Sequence, residues 1–460
     1  WWHASVEAAT TGLQRGGHPE IAGIGLSGQM HGTVLLDAHG APLRPAIIWE
    51  DRRSAAQVHS LTERAGASTL IASCGSPVAT GFQAASLAWL VEHEPETIAS
   101  ASMILLPGDY LRYRLTGEFI TEPSDASSTL LFDITARTWA ADIVEAVGID
   151  LAQLPQVMES TSVTGVLTSP AARDLGLPTG IPITGGGADA PLAALAGAVT
   201  TSETLLLTIS TGSQAILPAA APIVDPKGRI HTWCNLASPE SGLPGWYQMG
   251  ATLASGRALR WFREEILGGV AAELESSVAM APPGSDGLLF LPYLNGERTP
   301  HMDPGAAGAY IGLRAHHGPA ELSRAIMEGS AFSLLDAYEV LRELGGTPTR
   351  IVLAGGGARS RTWTEIVANI FALPVDPLEE SEGSAMGAAI VAGAALGWFD
   401  LAGGAQLSAR FGSRIEPEIP AVDLYRDLHP IFQHAYQALK GDFHALGQIA
   451  SRARSASISS

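Results

Sequence analysis

The chain has 460 residues and a formal net charge of −19. One hydrophobic core seldom grows that large, so two domains are expected. A surface this acidic disfavours nonspecific binding to nucleic acid or anionic membrane, both of which need a basic face, but allows an anionic substrate in a locally basic pocket. Short apolar strands alternate with amphipathic helices throughout, the pattern of an α/β protein. The opening WWHASVEAATTGL already reads as mid-helix at Trp1, so an earlier segment is expected in the natural protein. Strands are predicted over 21–27, 33–37, 204–210, 287–293 and 350–356. A helix is predicted from Pro319 to about Leu344, with Leu322, Ile326, Phe332, Leu335 and Leu341 near one face and Pro319 in the first turn. A second helix is predicted over 362–372. The weakly polar run at 385–399 is shorter than the roughly 20 residues a bilayer span needs and is rich in Ala and Gly. It reads as a core helix packed closely against a neighbour. The loop-rich stretch 155–184 carries turn residues, and a domain boundary is placed near its end, at 181. The tail 451–460 is polar and expected to fray.

Cys74 and Cys234 have no paired spacing, which argues against a disulfide scaffold or zinc site. With nothing resembling a signal peptide, the expected location is the cytoplasm. Three times from residue 185 onward an apolar strand runs into a glycine-rich turn: Gly185–Asp189, Ser210–Ser213 and Gly355–Ser360. Glycines let backbone N–H groups approach an anion, which suits phosphate or nucleotide, although turns need glycine anyway. None of the three matches a Walker loop or a Rossmann fingerprint. On local sequence alone Asp189 reads first as the cap of a helix starting at Ala190 or Pro191, and second as a general base.

The segment LSGQMHGTVLLDAHGAPLRPAIIWEDRRS (26–54) resembles the first substrate-binding segment of the FGGY carbohydrate kinases, and SGQMHG is the form found in the xylulokinase branch. Further matches follow in family order over 105–133, 185–197, 205–214, 290–313, 353–370 and 382–393. The resemblance covers nearly the whole chain. It implies two actin-like (ribonuclease H-like) ATPase domains around a central cleft: residues 1–181 binding the sugar and residues 182–460 binding ATP. It also implies transfer of the ATP γ-phosphoryl group to a sugar hydroxyl with Mg²⁺ present, with D-xylulose as acceptor and ribulose, gluconate or erythritol as alternatives. Homodimers are common in the family. No nucleic-acid or membrane partner is implied.

By the same resemblance Asp189 falls on the catalytic aspartate that accepts the proton of the attacking hydroxyl. Met30 and His31 fall on the pair that contacts the ketose, with Gln29 and Arg53 beside that pocket. Thr211 and Gly212 match the phosphate-binding hairpin of the second domain, and Gly256, Gly356 and Gly357 match positions lining the adenosine site. No metal ligand is assigned. Each residue also has a plainer reading: His31 as a half-buried structural histidine, Met30 as core, Arg52 or Arg53 as ion-pair partners of Glu50 and Asp51. Asp125 is read as structural support near the cleft, the GERTPH loop (296–301) as its organiser, and Trp49, Trp233 and Trp246 as core packing. Two departures stand out. Ser86 occupies a position where many relatives carry Lys. The family's first phosphate-binding hairpin, an aspartate followed by Gly-Thr, has no counterpart here, so the first domain is expected to lack its opening strands and to expose a sheet edge. The chain therefore reads as a piece of an active kinase or, alternatively, as a truncated, non-catalytic binder of sugar or nucleotide.

Overall fold

The computed structural model describes residues 1–17, 19–269, 278–379 and 383–458. They form two compact units, and a single cut at 181 does not separate them. The first unit takes residues 1–201, 218–248 and 382–409; the second takes 202–217, 249–381 and 410–460. The chain returns to the first unit late because the small-residue helix Gly383–Ala395 belongs to that unit's core. Its Gly387 allows the close approach: a Cβ there would stand 2.1 Å from the carbonyl oxygen of Leu192 in the helix Asp189–Ala196. Leu192, Leu195, Ile390 and Val391 then bury against one another, each contributing about 1.5–3 kcal/mol. No helix among the described residues is long and apolar enough to cross a membrane.

In the first unit, the opening helix Trp2–Arg15 anchors through Trp2, which joins a core of Leu115, Leu167, Leu175 and Ile183. The indole Nε1 of Trp2 donates to Asp174 Oδ2 at 3.0 Å. The strand expected over 21–27 is regular only at Ser27–Gly28, with an isolated bridge from Ile24 to Ile183. Ser27 pairs with Gly187 and Gly28 with Ala188, in parallel. Val34–Leu36 pairs antiparallel with Met103–Leu105, and Val163–Val166 with Pro182–Thr184. An apolar cavity of about 320 Å³ lies beside the opening helix, lined by Val6, Leu13, Ile21 and Leu111 among others.

The second unit carries the long hairpin Thr204–Ile209 and Ser213–Ala219, in register from Leu206↔Ile216 to Ile209↔Ser213. On its other edge Thr204–Ile209 runs parallel to Arg350–Ala354, which runs parallel to Val375–Pro377. These central strands are covered on both faces, which is why they read as unbroken apolar runs. The predicted helices appear as Pro319–Glu343 and Arg361–Phe371. Ser360 caps the second, its Oγ accepting from Trp363 N. The C-terminal helix Ile419–Ile458 enters the polar tail 451–460, where the sequence predicts fraying; residues 459–460 lie outside the described residues. It docks through Tyr425, whose hydroxyl donates to Glu328 Oε1 at 2.7 Å beside the buried Arg324–Glu328 pair.

Candidate active site

The parallel pairing of Ser27–Gly28 with Gly187–Ala188 decides what lies at the end of these strands. Both stop at the same register, so Gln29 and Asp189 leave side by side at the carboxyl ends of two neighbouring parallel strands. That is where α/β sheets place their ligands. The turn before Asp189 needs glycine at 186: its φ is +69° and a Cβ would meet the carbonyl oxygen of Leu26 at 2.1 Å. Asp189 is the first residue of the helix Asp189–Ala196 and is exposed to solvent. The N-cap is Ala188, which makes no side-chain cap. Burial by the surrounding protein nevertheless pushes the Asp189 carboxyl up to about 6, against the lowering effect of the Ala190 amide.

Met30 and His31 follow directly and are both buried. His31 has φ of 71°, a left-handed backbone that a side chain rarely adopts. It is fixed there by its contacts. The imidazole stacks on Phe82 with ring centroids 4.0 Å apart, and Nδ1 lies 2.8 Å from the carbonyl oxygen of Ser128. A carbonyl only accepts, so Nδ1 carries a proton and donates it there. Gln83 Nε2 holds the next residue by donating to the carbonyl of Gly32. Trp233 meets the His31 ring edge-on and is fully buried, and Trp246 is buried with its Nε1 on the carbonyl of Ile134. Trp49 is exposed.

Arg53 takes the plainer of its two readings in its described contacts. Its guanidinium bonds both oxygens of Asp51 at 2.9 Å and lies over the Trp89 ring, 4.9 Å from the centroid. Ser86 is buried in the helix Gln83–His93. Asp125 is buried in the short helix Pro123–Ala126, where burial first, then the charges of Asp109, Glu122 and Asp189, hold its carboxyl well above the usual range.

In the second unit the structure brings the expected nucleotide-side residues together around the hairpin turn 210–212. The carbonyl of Thr211 accepts from Ser255 N and Arg257 N at 3.2 and 3.1 Å, and Ser210 N donates to the carbonyl of Gly212. Gly256 lies so close that a Cβ would be 2.2 Å from Ser210 O, and a Cβ at Gly357 would be 2.6 Å from the Ile209 Cβ. Thr211 and Gly356 are exposed. The helix Gly256–Trp261 starts at this point.

The GERTPH loop supports the end of the strand Trp246–Thr252, just before Ser255. Glu297 Oε1 accepts from Leu253 N and Arg298 N, Oε2 accepts from Ser333 Oγ, and Thr299 Oγ1 accepts from Ala251 N. Burial pushes the Glu297 carboxyl up to about 7. Sequence reasoning gave no role to Glu122, Ser124 or Arg112, which hold the Asp189 turn. The signal available was the Pro123 that follows Glu122, a helix-start pattern.

Among the described residues two clusters could hold a cation, Asp286–His316–His317 and Asp336–Glu339–His429. Both present histidine nitrogens, whereas Mg²⁺ prefers oxygen ligands and keeps several waters. In the second, the Gln433 amide N–H group donates to both carboxylates. Neither cluster fits Mg²⁺.

Known proteins point the same way. Residues 1–196 match the N-terminal domain, and residues 205–396 the C-terminal domain, of the FGGY family of carbohydrate kinases. The xylulose kinase of Bacillus subtilis is 37% identical over 423 residues, 92% of this chain and 84% of that protein. The crystal structure of xylulose kinase from Rhodospirillum rubrum is 32% identical, with a TM-score of 0.84 over 92% of this chain and 85% of that one. Gluconate kinase from Lactobacillus acidophilus is 25% identical, with a TM-score of 0.89 over 95% and 88% of the two chains. The chain is a sugar kinase with two actin-like domains and belongs to the FGGY family of carbohydrate kinases.

Proposed function

We propose that this kinase transfers the γ-phosphoryl group of ATP to the terminal hydroxyl of D-xylulose, with Asp189 as the general base. The observation that carries this is the exposed residue Asp189 at the end of the Gly187–Ala188 strand, beside the Gln29-Met30-His31 turn. A sugar hydroxyl holds its proton tightly, so a carboxylate in reach helps remove it as the new bond forms. The acceptor oxygen gains phosphorus while its proton passes to Asp189, and the bridging oxygen leaves with ADP. The turn 210–212, Gly256 and Gly356–Gly357 hold the nucleotide, with backbone N–H groups offered to its phosphates. Mg²⁺, when bound, neutralises charge on those phosphates, and no described cluster is assigned to it. With its Nδ1 proton on the Ser128 carbonyl, the His31 ring offers the polyol its Nε2 alone. Cys74 and Cys234, both buried and unpaired, support a cytoplasmic location.

The resemblance to a gluconate kinase structure keeps another polyol as the second reading. A panel of xylulose, ribulose, gluconate, glycerol and erythritol separates the two, with kcat/KM highest for xylulose. A higher value for any other sugar reassigns the substrate and keeps the reaction. Turnover of none, with sugar still bound, favours the non-catalytic binder.

The pH dependence follows from the same carboxyl. Its ionised form is the base and is populated above about 6, so kcat/KM should fall as pH drops through that value. A midpoint near the ordinary aspartate value of about 4 would show that burial does not act on the working base.

A further inference from the structure

The turn that delivers Asp189 is held by buried side chains that phosphoryl transfer itself does not use. Five of its backbone groups have described partners; Gly185 N and Gly187 N donate to the carbonyls of Ser162 and Leu26. The carbonyl of Gly185 accepts from Arg112 Nη2. Gly186 N donates to the carbonyl of Ser160 at 3.1 Å, and Ala188 N donates to Ser124 Oγ at 3.0 Å. Ser124 works in two directions. Its single hydroxyl proton points to Glu122 Oε1 at 2.8 Å, which leaves an oxygen lone pair for the Ala188 amide. Glu122 also accepts from Ser160 Oγ at 2.6 Å. One carboxylate therefore ties both serines that hold the turn, at 186 and at 188.

The plainer account is that Glu122 caps the helix Pro123–Ala126, accepting from Ser124 N and Asp125 N. That accounts for two of its four described bonds. The other two go to the serine hydroxyls, and capping a four-residue helix needs neither. Glu122 is 1% exposed and all four of its described donors are neutral. A buried carboxylate is costly, and only a full set of donors offsets the cost. Its bonds are short and directional, and they lead into the backbone immediately before Asp189.

We propose that Glu122, acting through Ser124 and Ser160, is a positioning residue for the phosphoryl transfer, setting the height and direction of the Asp189 carboxylate. This rests on Asp189 being the base. Ser124→Ala removes the link at Ala188, and a misplacement of about 1 Å is worth roughly 10² in rate. The purified wild type, Ser124→Ala, Asp189→Asn and the double variant form a cycle, read as kcat per folded site and sugar KM. The expected result is a fall in kcat of about 10- to 100-fold for Ser124→Ala with KM nearly unchanged, recovery in Ser124→Thr, and no further loss when Ser124→Ala is added to Asp189→Asn. An unchanged kcat, or the same loss in both backgrounds, overturns the proposal and leaves a cap. If Asp189→Asn itself retains turnover, the base reading fails first, whatever Ser124 does. Should Ser124→Ala not fold, Glu122→Gln takes its place in the same cycle, since it keeps the shape and turns one acceptor into a donor.

Discussion

Asp189→Asn should lower kcat by about 10²- to 10⁴-fold, the usual worth of a positioned general base, while sugar binding by calorimetry stays in place. The two residue types have nearly the same shape, and Asn also suits a helix start, so the helix Asp189–Ala196 should persist. What is lost is the acceptor for the hydroxyl proton. On the proposed mechanism the carboxyl takes that proton: burial raises it to about 6, close to working pH, and the residue is exposed to solvent. Retained turnover in the variant would leave only a helix-starting role for this residue.

The second large effect is expected at Arg112. Its side chain is 3% exposed and its partner Asp109 2%, with Nη1 2.6 Å from Asp109 Oδ1. The same guanidinium donates to the carbonyls of Ile120 and Gly185. Arg112→Met strands a buried carboxylate and two carbonyls, and should cost about 3–5 kcal/mol in urea unfolding. The loss should depend on pH. Burial already pushes Asp109 upward, and the Arg112 charge is the main force opposing it. Without that charge the folded-state value rises further above the unfolded one. The variant is then least penalised in acid and loses stability as pH rises. A loss that is flat with pH would mean that Asp109 finds another partner. Arg112→Lys should rescue little, because one ammonium cannot reproduce the planar fork.

Where structure is local, the sequence was legible. The strands Thr204–Ile209 and Arg350–Ala354, and the helices Pro319–Glu343 and Arg361–Phe371, stand within a residue or two of their predicted ends. Their patterns are strong and their punctuation (Pro319, Ser360, the glycine turns) is close in sequence. The segment 21–27 was less legible: its apolar residues suggest a full strand, but pairing depends on residues 182–188, far along the chain. The late return of 382–409 to the first unit was invisible for the same reason. At the site, the motifs pointed to Asp189, Met30 and His31, and the family resemblance weighted them. The hub at Glu122 could not be read, because its meaning lies in four hydrogen bonds made after folding. Arg53 illustrates the opposite risk: its two candidate roles look alike in sequence, and its described contacts are with Asp51 and Trp89.

The backbone at His31 sets two demands against each other. Its left-handed conformation holds roughly 1–3 kcal/mol that glycine would not have to bear. Glycine would shed that strain but leave a hole beside Phe82 and Trp233 and strand the Ser128 carbonyl. That the chain keeps a strained backbone there ties part of its margin against melting to the packing of a single ring.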